Sequence, residues 1–135
     1  MDEGYNFLSL VSQLHSILEF QRGAAVFRKG DRANGMYVVR AGKVELYDGA
    51  ITYETVGPGH IFGEMALVDG CPRSASARAA TDCQLIWVDN AAFMRLVDVS
   101  PLFAVRVMRV MGRRLRTMNE RLQAAIDSLQ APLDD

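Results

Sequence analysis

Between residues 23 and 88 the chain alternates short apolar runs with glycines, and this rhythm limits the folds open to it. Turn signals recur at intervals of about 8–12 residues or less, which is typical of β-sandwiches and barrels built from hairpins. Strand character returns over residues 74–80 and 84–88. The earlier runs, each with the glycine that ends it, are Ala24–Phe27 with Gly30, Met36–Val39 with Gly42, Val44–Tyr47 with Gly49, and Ile51–Val56 with Gly57.

Helical patterns flank this β-rich region. Apolar residues spaced three and four apart predict a short amphipathic helix within residues 5–20. Asn90 is a candidate N-cap for a short helix ending near Val97, and Ser100-Pro101 predicts the start of a long helix over about 102–129. The length of 135 residues fits one domain, 1–135, with a β-barrel over about 23–89 and C-terminal helices over about 90–129.

The charge balance and the rare residue types exclude several classes of protein. The formal net charge of −1 lacks the basic excess of nucleic-acid-binding domains, so no nucleic-acid partner is expected. No apolar stretch approaches the roughly 18 residues of a membrane span, and the acidic start does not resemble a secretory signal. Two cysteines and two histidines lack the spacing of a zinc site. We therefore expect a cytoplasmic protein without a metal.

The segment from Phe62 to Ala77 contains the residues best suited to bind an anion. Gly63 allows close backbone approach, and the single helical turn predicted after it exposes free N–H groups that attract negative charge. Arg73 adds a planar donor fork that matches two phosphate oxygens, whereas Glu64 only accepts and suits a sugar hydroxyl. The small residues at 75, 77 and 79 alternate along the next strand and could leave room for a ligand.

The letters Phe62-Gly63-Glu64-Met65-Ala66-Leu67 and Pro72-Arg73-Ser74-Ala75 strongly resemble the phosphate-binding cassette of the cyclic-nucleotide-binding domain family. The likeness extends through residues 27–31 and 36–44 and covers about residues 20–125. It implies an α+β fold: an eight-stranded antiparallel jelly-roll β-barrel with a short N-terminal helix and C-terminal B and C helices. It also implies cAMP or cGMP as ligand, no cofactor and no catalysis.

The resemblance assigns the phosphate and the ribose to particular residues of the cassette. Arg73 would pair with the cyclic phosphate, and the backbone N–H groups of Ala66 and Ala75 would donate to its oxygens. Glu64 would accept from the ribose 2′-hydroxyl, and the backbone of Gly63 would contact the same sugar.

Around the base the resemblance gives weaker guidance. Ser74 would donate to the phosphate or approach the purine, and Met65 and Leu46 are candidates for the wall around the base. Arg113 or Arg114, on the long helix, is the candidate for a lid over the purine. Serine at position 74 lies between the threonine of many cGMP binders and the alanine of cAMP binders, and we favour cAMP.

The long helix has a second pattern, because its apolar residues from Met111 onward fall four and three residues apart. This heptad stripe would either pack on the barrel or pair with a second copy, forming a homodimer through residues 102–129. We name the long helix over about 102–129 α3 and this stripe the α3 seam. Its members are Met111, Leu115, Met118, Leu122, Ala125 and Leu129.

The residues leave alternatives to a sensor open. A ligand-independent dimerisation or scaffold module with the same fold is one, and a cupin-type metal enzyme is another. The latter needs clustered histidines, and the chain has only His15 and His60. Nothing after residue 129 can hold a helix-turn-helix, so a sensor would act on an unknown effector protein or domain.

Overall fold

In the computed structural model, which describes residues 6–130, eight antiparallel strands form two four-stranded sheets. The strands are β1 (Ile17–Phe20), β2 (Ala25–Phe27), β3 (Gly35–Ala41), β4 (Val44–Asp48), β5 (Ile51–Val56), β6 (Ile61–Phe62), β7 (Ser76–Ala79) and β8 (Cys83–Asp89). One sheet has the order β1-β8-β3-β6 and the other the order β2-β7-β4-β5. Together with the helices, this confirms the predicted α+β jelly-roll fold.

Both faces of strand β3 are buried, because the strand lies between two apolar clusters. Tyr37 and Val39 point between the two sheets, where they pack with Phe62 and with small residues of β7. Met36 and Val38 point to the opposite face, which the helices cover. The unbroken apolar run of β3 is therefore explained by a strand that has a core on each side.

Three α-helices follow from the sequence pattern: α1 (Met65–Asp69), α2 (Asn90–Val99) and α3 (Pro101–Gln130). The start of α3 is anchored because Phe103, Val107 and Val110 are buried at spacings of four and three. The ring of Phe103 packs edge-on against Phe7, with 6.0 Å between centroids. This contact ties α3 to the N-terminal part of the chain.

The N-terminal prediction is wrong over most of its length. Within the described residues 6–20 only Leu8–Val11 is helical, as one 3-10 turn, whereas Ile17–Phe20 is strand β1, paired with β8. Tyr5 lies outside the described residues. The open edge of β8 offers Ile17–Phe20 a full set of backbone partners, and its β-branched and aromatic residues suit a strand.

Gly42, which ends the second apolar run, forms a turn at φ 84°. This turn joins the two sheets, because β3 and β4 do not pair with each other. The N-cap of α2 is Asp89 and not the predicted Asn90, because the Asp89 Oδ1 accepts from the Ala92 N–H at 2.8 Å. The turn at Gly49 closes a hairpin, since Asp48 faces Ile51 across β4 and β5.

Two further observations concern the described part of the chain alone. Within residues 6–130 no helix has both the length and the apolar character needed to cross a bilayer. In the same residues no three His, Cys, Asp or Glu side chains are grouped so that they could hold a metal ion. Both cysteines are free thiols, Cys71 exposed and Cys83 buried.

Candidate functional site

A cavity of about 370 Å³ lies between the loop that connects β6 to β7 and one face of α3. Its volume falls in the range of small-molecule sites. Among the residues that line it are Leu46, Gly63, Glu64, Met65, Ala66, Arg73, Ser74, Ala75 and Arg114. The structure therefore brings together all but one of the ten site residues predicted from the sequence.

Arg73 is a buried charge of the cavity, with 6% of its surface exposed. Its Nη1 donates to the Gly63 carbonyl at 2.7 Å and its Nη2 to the Gly35 carbonyl at 2.8 Å. The guanidinium also lies over the Phe27 ring, 4.1 Å from the centroid. Burial lowers the pKa of Arg73, yet an arginine keeps its charge at any physiological pH.

The Arg73 guanidinium has donor capacity left for a ligand. Its Nε is buried and has no hydrogen-bond partner within the described part of the chain. An unpaired buried N–H costs about 1–3 kcal/mol, so an acceptor that reaches this atom would be favoured.

Gly63 makes room for this arginine. It has φ +78°, and a Cβ at this position would lie 2.6 Å from Nη1 of Arg73. Gly63 therefore allows its carbonyl to approach the guanidinium, where any other residue would collide and be strained. Gly35 makes room for a different side chain, since a Cβ there would lie 2.3 Å from the Trp87 ring.

Glu64 is also buried, with 4% of its surface exposed, and it begins α1. Its Oε2 accepts from the Met65 N–H at 3.2 Å, and its Oε1 forms an ion pair with Nη1 of Arg114. Arg114 in turn donates from Nε and Nη2 to Glu54 at 2.9 and 3.1 Å. Burial alone would lower the pKa of Arg114, but the carboxylates of Glu64 and Glu54 raise it above its usual value.

One face of α3 closes the cavity. Arg114, Thr117, Met118 and Arg121 line it, and their spacing of three, one and three residues marks a single helix face. Of the two lid candidates, only Arg114 therefore reaches the cavity. Arg113 points elsewhere, to a shallow surface depression that it shares with Arg109, Gly112 and Arg116.

Sequence reasoning missed several cavity residues. Thr117, Met118 and Arg121 could have been found from their position one and two turns beyond Arg114. Phe27 and Tyr53 reach the site only through the folding of the sheet. The small side chains at 77 and 79 do not leave room for a ligand, because they are buried between the sheets, and only Ala75 lines the cavity.

His60 lies beside the same cluster of charges and makes the stability of the fold sensitive to pH. Burial lowers the pKa of His60, Arg113 and Arg114 lower it further, and Glu54 partly opposes them. As the pH falls below the usual imidazole pKa of about 6.5, the unfolded chain takes up the proton first. Stability should therefore decrease on acidification, down to the pKa of His60 in the folded protein.

This prediction is checked by following the melting temperature of the wild type and of His60→Gln between about pH 7.5 and pH 5. We expect a flatter profile for His60→Gln, whereas His15→Gln, at an exposed position, should keep the wild-type slope. Parallel profiles for all three proteins would contradict the assignment.

The fold and the cavity agree with what comparison with known proteins finds. A family model described as "Cyclic nucleotide-binding domain" matches residues 17–100. The chain therefore belongs to the cyclic nucleotide-binding domain family.

Among its relatives is the cyclic AMP receptor protein of Thermus thermophilus, which is 35% identical over 102 residues. That match covers 72% of this chain and 47% of the relative, so the chain spans about half the length of this protein. The crystal structure of the Thermus thermophilus catabolite activator protein superimposes with a TM-score of 0.78 at 31% identity, covering 87% of this chain and 57% of the other.

A second solved structure comes from a cyclic-GMP-dependent signalling pathway that regulates bacterial phytopathogenesis. It has a TM-score of 0.73 and 29% identity, and the match covers 86% of this chain and 95% of the other. Relatives named for each of the two nucleotides therefore share this fold. Together these comparisons support a cyclic-nucleotide-binding sensor, in which the nucleotide is a ligand and not a cofactor.

Proposed function

We propose that the cavity binds cAMP and that α3 transmits its occupancy. The cyclic phosphate pairs with Arg73 and accepts from the backbone N–H groups of Ala66 and Ala75. The ribose 2′-hydroxyl donates to Glu64, and the sugar lies against the backbone of Gly63. The protein acts as a sensor and not as an enzyme.

The observation that carries this proposal is the state of Arg73. A buried guanidinium that lines a cavity of about 370 Å³ and has an unpartnered Nε favours an anionic ligand there. The carboxylate of Glu64 belongs on the other side of the ligand, since an acceptor there would repel phosphate and attract a hydroxyl.

The base lies under α3 in this proposal. Arg114, Met118 and Leu46 supply the wall around the purine, with Met65 at the edge and Ser74 near the phosphate. Met118 is 45% exposed and Met65 46%, so a bound base would cover apolar surface that now faces solvent.

The test is calorimetric titration of the full chain with cAMP and cGMP, followed by competition between the two. We expect both to bind and cAMP to bind more tightly. Tighter binding of cGMP would overturn the preference but keep the site. If neither nucleotide binds at millimolar concentration, the sensor proposal fails, and a ligand-independent scaffold with this fold takes its place.

The output of the sensor involves the α3 seam. Leu115 is 63% exposed, Leu122 60% and Leu129 87%, so the barrel does not cover this part of the seam. Two other members of the seam face the rest of the domain, since Met111 is half-buried against the core and Met118 lines the cavity. The heptad spacing favours a second copy of this chain as the partner of the rest.

Occupancy of the cavity and the α3 seam are connected because α3 lines the cavity and also carries the seam. We call α3 closed when it covers the cavity. If the nucleotide binds more tightly to the protein with α3 closed, binding shifts the population toward that state, and the seam moves with the helix. The effector stays unidentified. A protein named as a cAMP receptor is among the relatives, and the exclusion of nucleic acid as a partner stays a prediction.

A further inference from the structure

Glu54 lies on β5, outside the cavity wall, and yet it holds a residue that lines the cavity. Its two carboxylate oxygens accept from Nε and Nη2 of Arg114 at 2.9 and 3.1 Å, which is a side-on, bidentate ion pair. The next residue toward the N-terminus, Tyr53, accepts from Arg121 through its carbonyl at 2.7 Å. Two consecutive residues of β5 therefore fix two arginines of α3.

The bidentate pair decides where the rest of the guanidinium points. Nη2 of Arg114 also donates to the Ile61 carbonyl at 2.6 Å, so this edge of the group has no freedom to turn. A guanidinium is planar, so fixing one edge aims Nη1 in a single direction. That direction is toward Oε1 of Glu64.

We propose that Glu54 is a positioning residue for the nucleotide site, which acts through Arg114 on Glu64. This inference rests on the proposed function, in which Glu64 accepts from the ribose 2′-hydroxyl. Glu54 itself touches no ligand. A bidentate carboxylate–guanidinium pair has the geometric specificity that such a role requires.

Glu54 and Glu64 both pair with the guanidinium of Arg114, and this arrangement matters when a ligand enters the cavity. A ribose hydroxyl that donates to Glu64 competes with Nη1 of Arg114 for the same oxygens. Because Glu54 still holds Arg114 through two bonds, the arginine stays in place and α3 stays closed. Without Glu54, Arg114 no longer fixes the Glu64 carboxylate in the position that accepts from the ribose hydroxyl, so the affinity falls by the contribution of that one contact.

The experiment is a thermodynamic cycle that combines Glu54→Gln with cAMP and 2′-deoxy-cAMP, measured by calorimetry on the full chain. Losing the 2′-hydroxyl should weaken binding to the wild type about tenfold, the usual effect of one hydrogen bond to a charged group. Glu54→Gln should weaken cAMP binding by a similar factor of about ten, since a neutral amide holds Arg114 less firmly. For 2′-deoxy-cAMP binding to Glu54→Gln we expect a loss of affinity well below the product of the two single losses. The reason is that Glu54 acts through the ribose contact, which this ligand already lacks.

A purely structural role for Glu54 gives a different result. The two losses would then multiply to about a hundredfold, and this outcome overturns the inference. Glu45→Gln is the matched control, because Glu45 lies on the adjacent strand β4 and pairs with Arg78 at 3.4 Å, away from the cavity. It should leave both affinities unchanged.

Further controls separate this inference from the proposed function. Failure of the wild type to bind cAMP rejects the function itself, whereas binding with multiplicative losses rejects only the role of Glu54. If Glu54→Gln does not fold, Glu54→Asp replaces it, since a shorter carboxylate cannot reach both N–H groups of Arg114. The same non-multiplicative result is expected, and multiplicative losses again overturn the inference.

Discussion

Arg73→Lys should weaken cAMP binding at least tenfold, and Arg73→Leu about a hundredfold. Hydrogen bonds from a charged group to phosphate contribute about 1.5–3 kcal/mol each, and every 1.4 kcal/mol is a factor of ten in affinity. Lysine retains the charge but loses the planar fork that serves Gly63, Gly35 and the ligand together. Leucine removes every donor.

Calorimetric titration measures the affinity, and a thermal melt without nucleotide shows whether each variant folds. Arg73→Leu should also lower stability, since the Gly63 and Gly35 carbonyls lose their donor at about 1–3 kcal/mol each. Arg78→Lys is the matched control, because Arg78 on β7 lies over the ring of Tyr47 on β4, 4.1 Å from its centroid, and does not line the cavity. Wild-type affinity in a folded Arg73→Lys would place the phosphate elsewhere.

The second large effect concerns the α3 seam. We expect the wild type to sediment as a dimer and the double variant Leu115→Glu/Leu122→Glu to sediment as a monomer. Each apolar side chain that the partner buries contributes about 1.5–3 kcal/mol, and each glutamate replaces that gain with an unpaired charge. The change should be close to all-or-none.

Analytical ultracentrifugation over a range of concentrations measures this directly. Val99→Glu serves as control, because Val99 is 80% exposed and apolar but lies at the end of α2, off the seam. A wild type that stays monomeric with or without cAMP would reject the dimer and leave the nucleotide site untouched. Loss of dimer in Val99→Glu would show that the seam is not the interface.

The β-rich half of the fold was predictable because its signals are local. Glycines with positive φ, such as Gly42 and Gly49, mark turns wherever they occur, whatever the sheets do around them. Which strands pair is not local, so the sequence around the turn at Gly42 does not reveal that this turn joins the two sheets. The helix prediction for residues 17–20 fails for the same reason, since the edge of β8 with which they pair lies more than 60 residues away in the sequence.

In the candidate site, too, contacts within one segment were predictable from the sequence, whereas contacts between distant elements were not. Arg73 and Glu64 lie within one short segment, so their letters and spacing were enough to predict that they meet. Glu54 and Arg114 come from elements 60 residues apart, and their ion pair depends on how α3 crosses β5. No pattern in either element encodes that crossing, and only the folded chain reveals it.

Because α3 is long, a small displacement of the helix near the cavity produces a larger displacement at its far end. The helix is held at Phe103 and extends to Gln130, a distance of about 40 Å at 1.5 Å per residue. A tilt of about 10° around the anchored end would swing the far end by about 7 Å, because a rigid rod multiplies an angle by its length. A displacement of the helix at Arg114, about 16 Å from the anchored end, would thus become a movement between two and three times larger at Gln130.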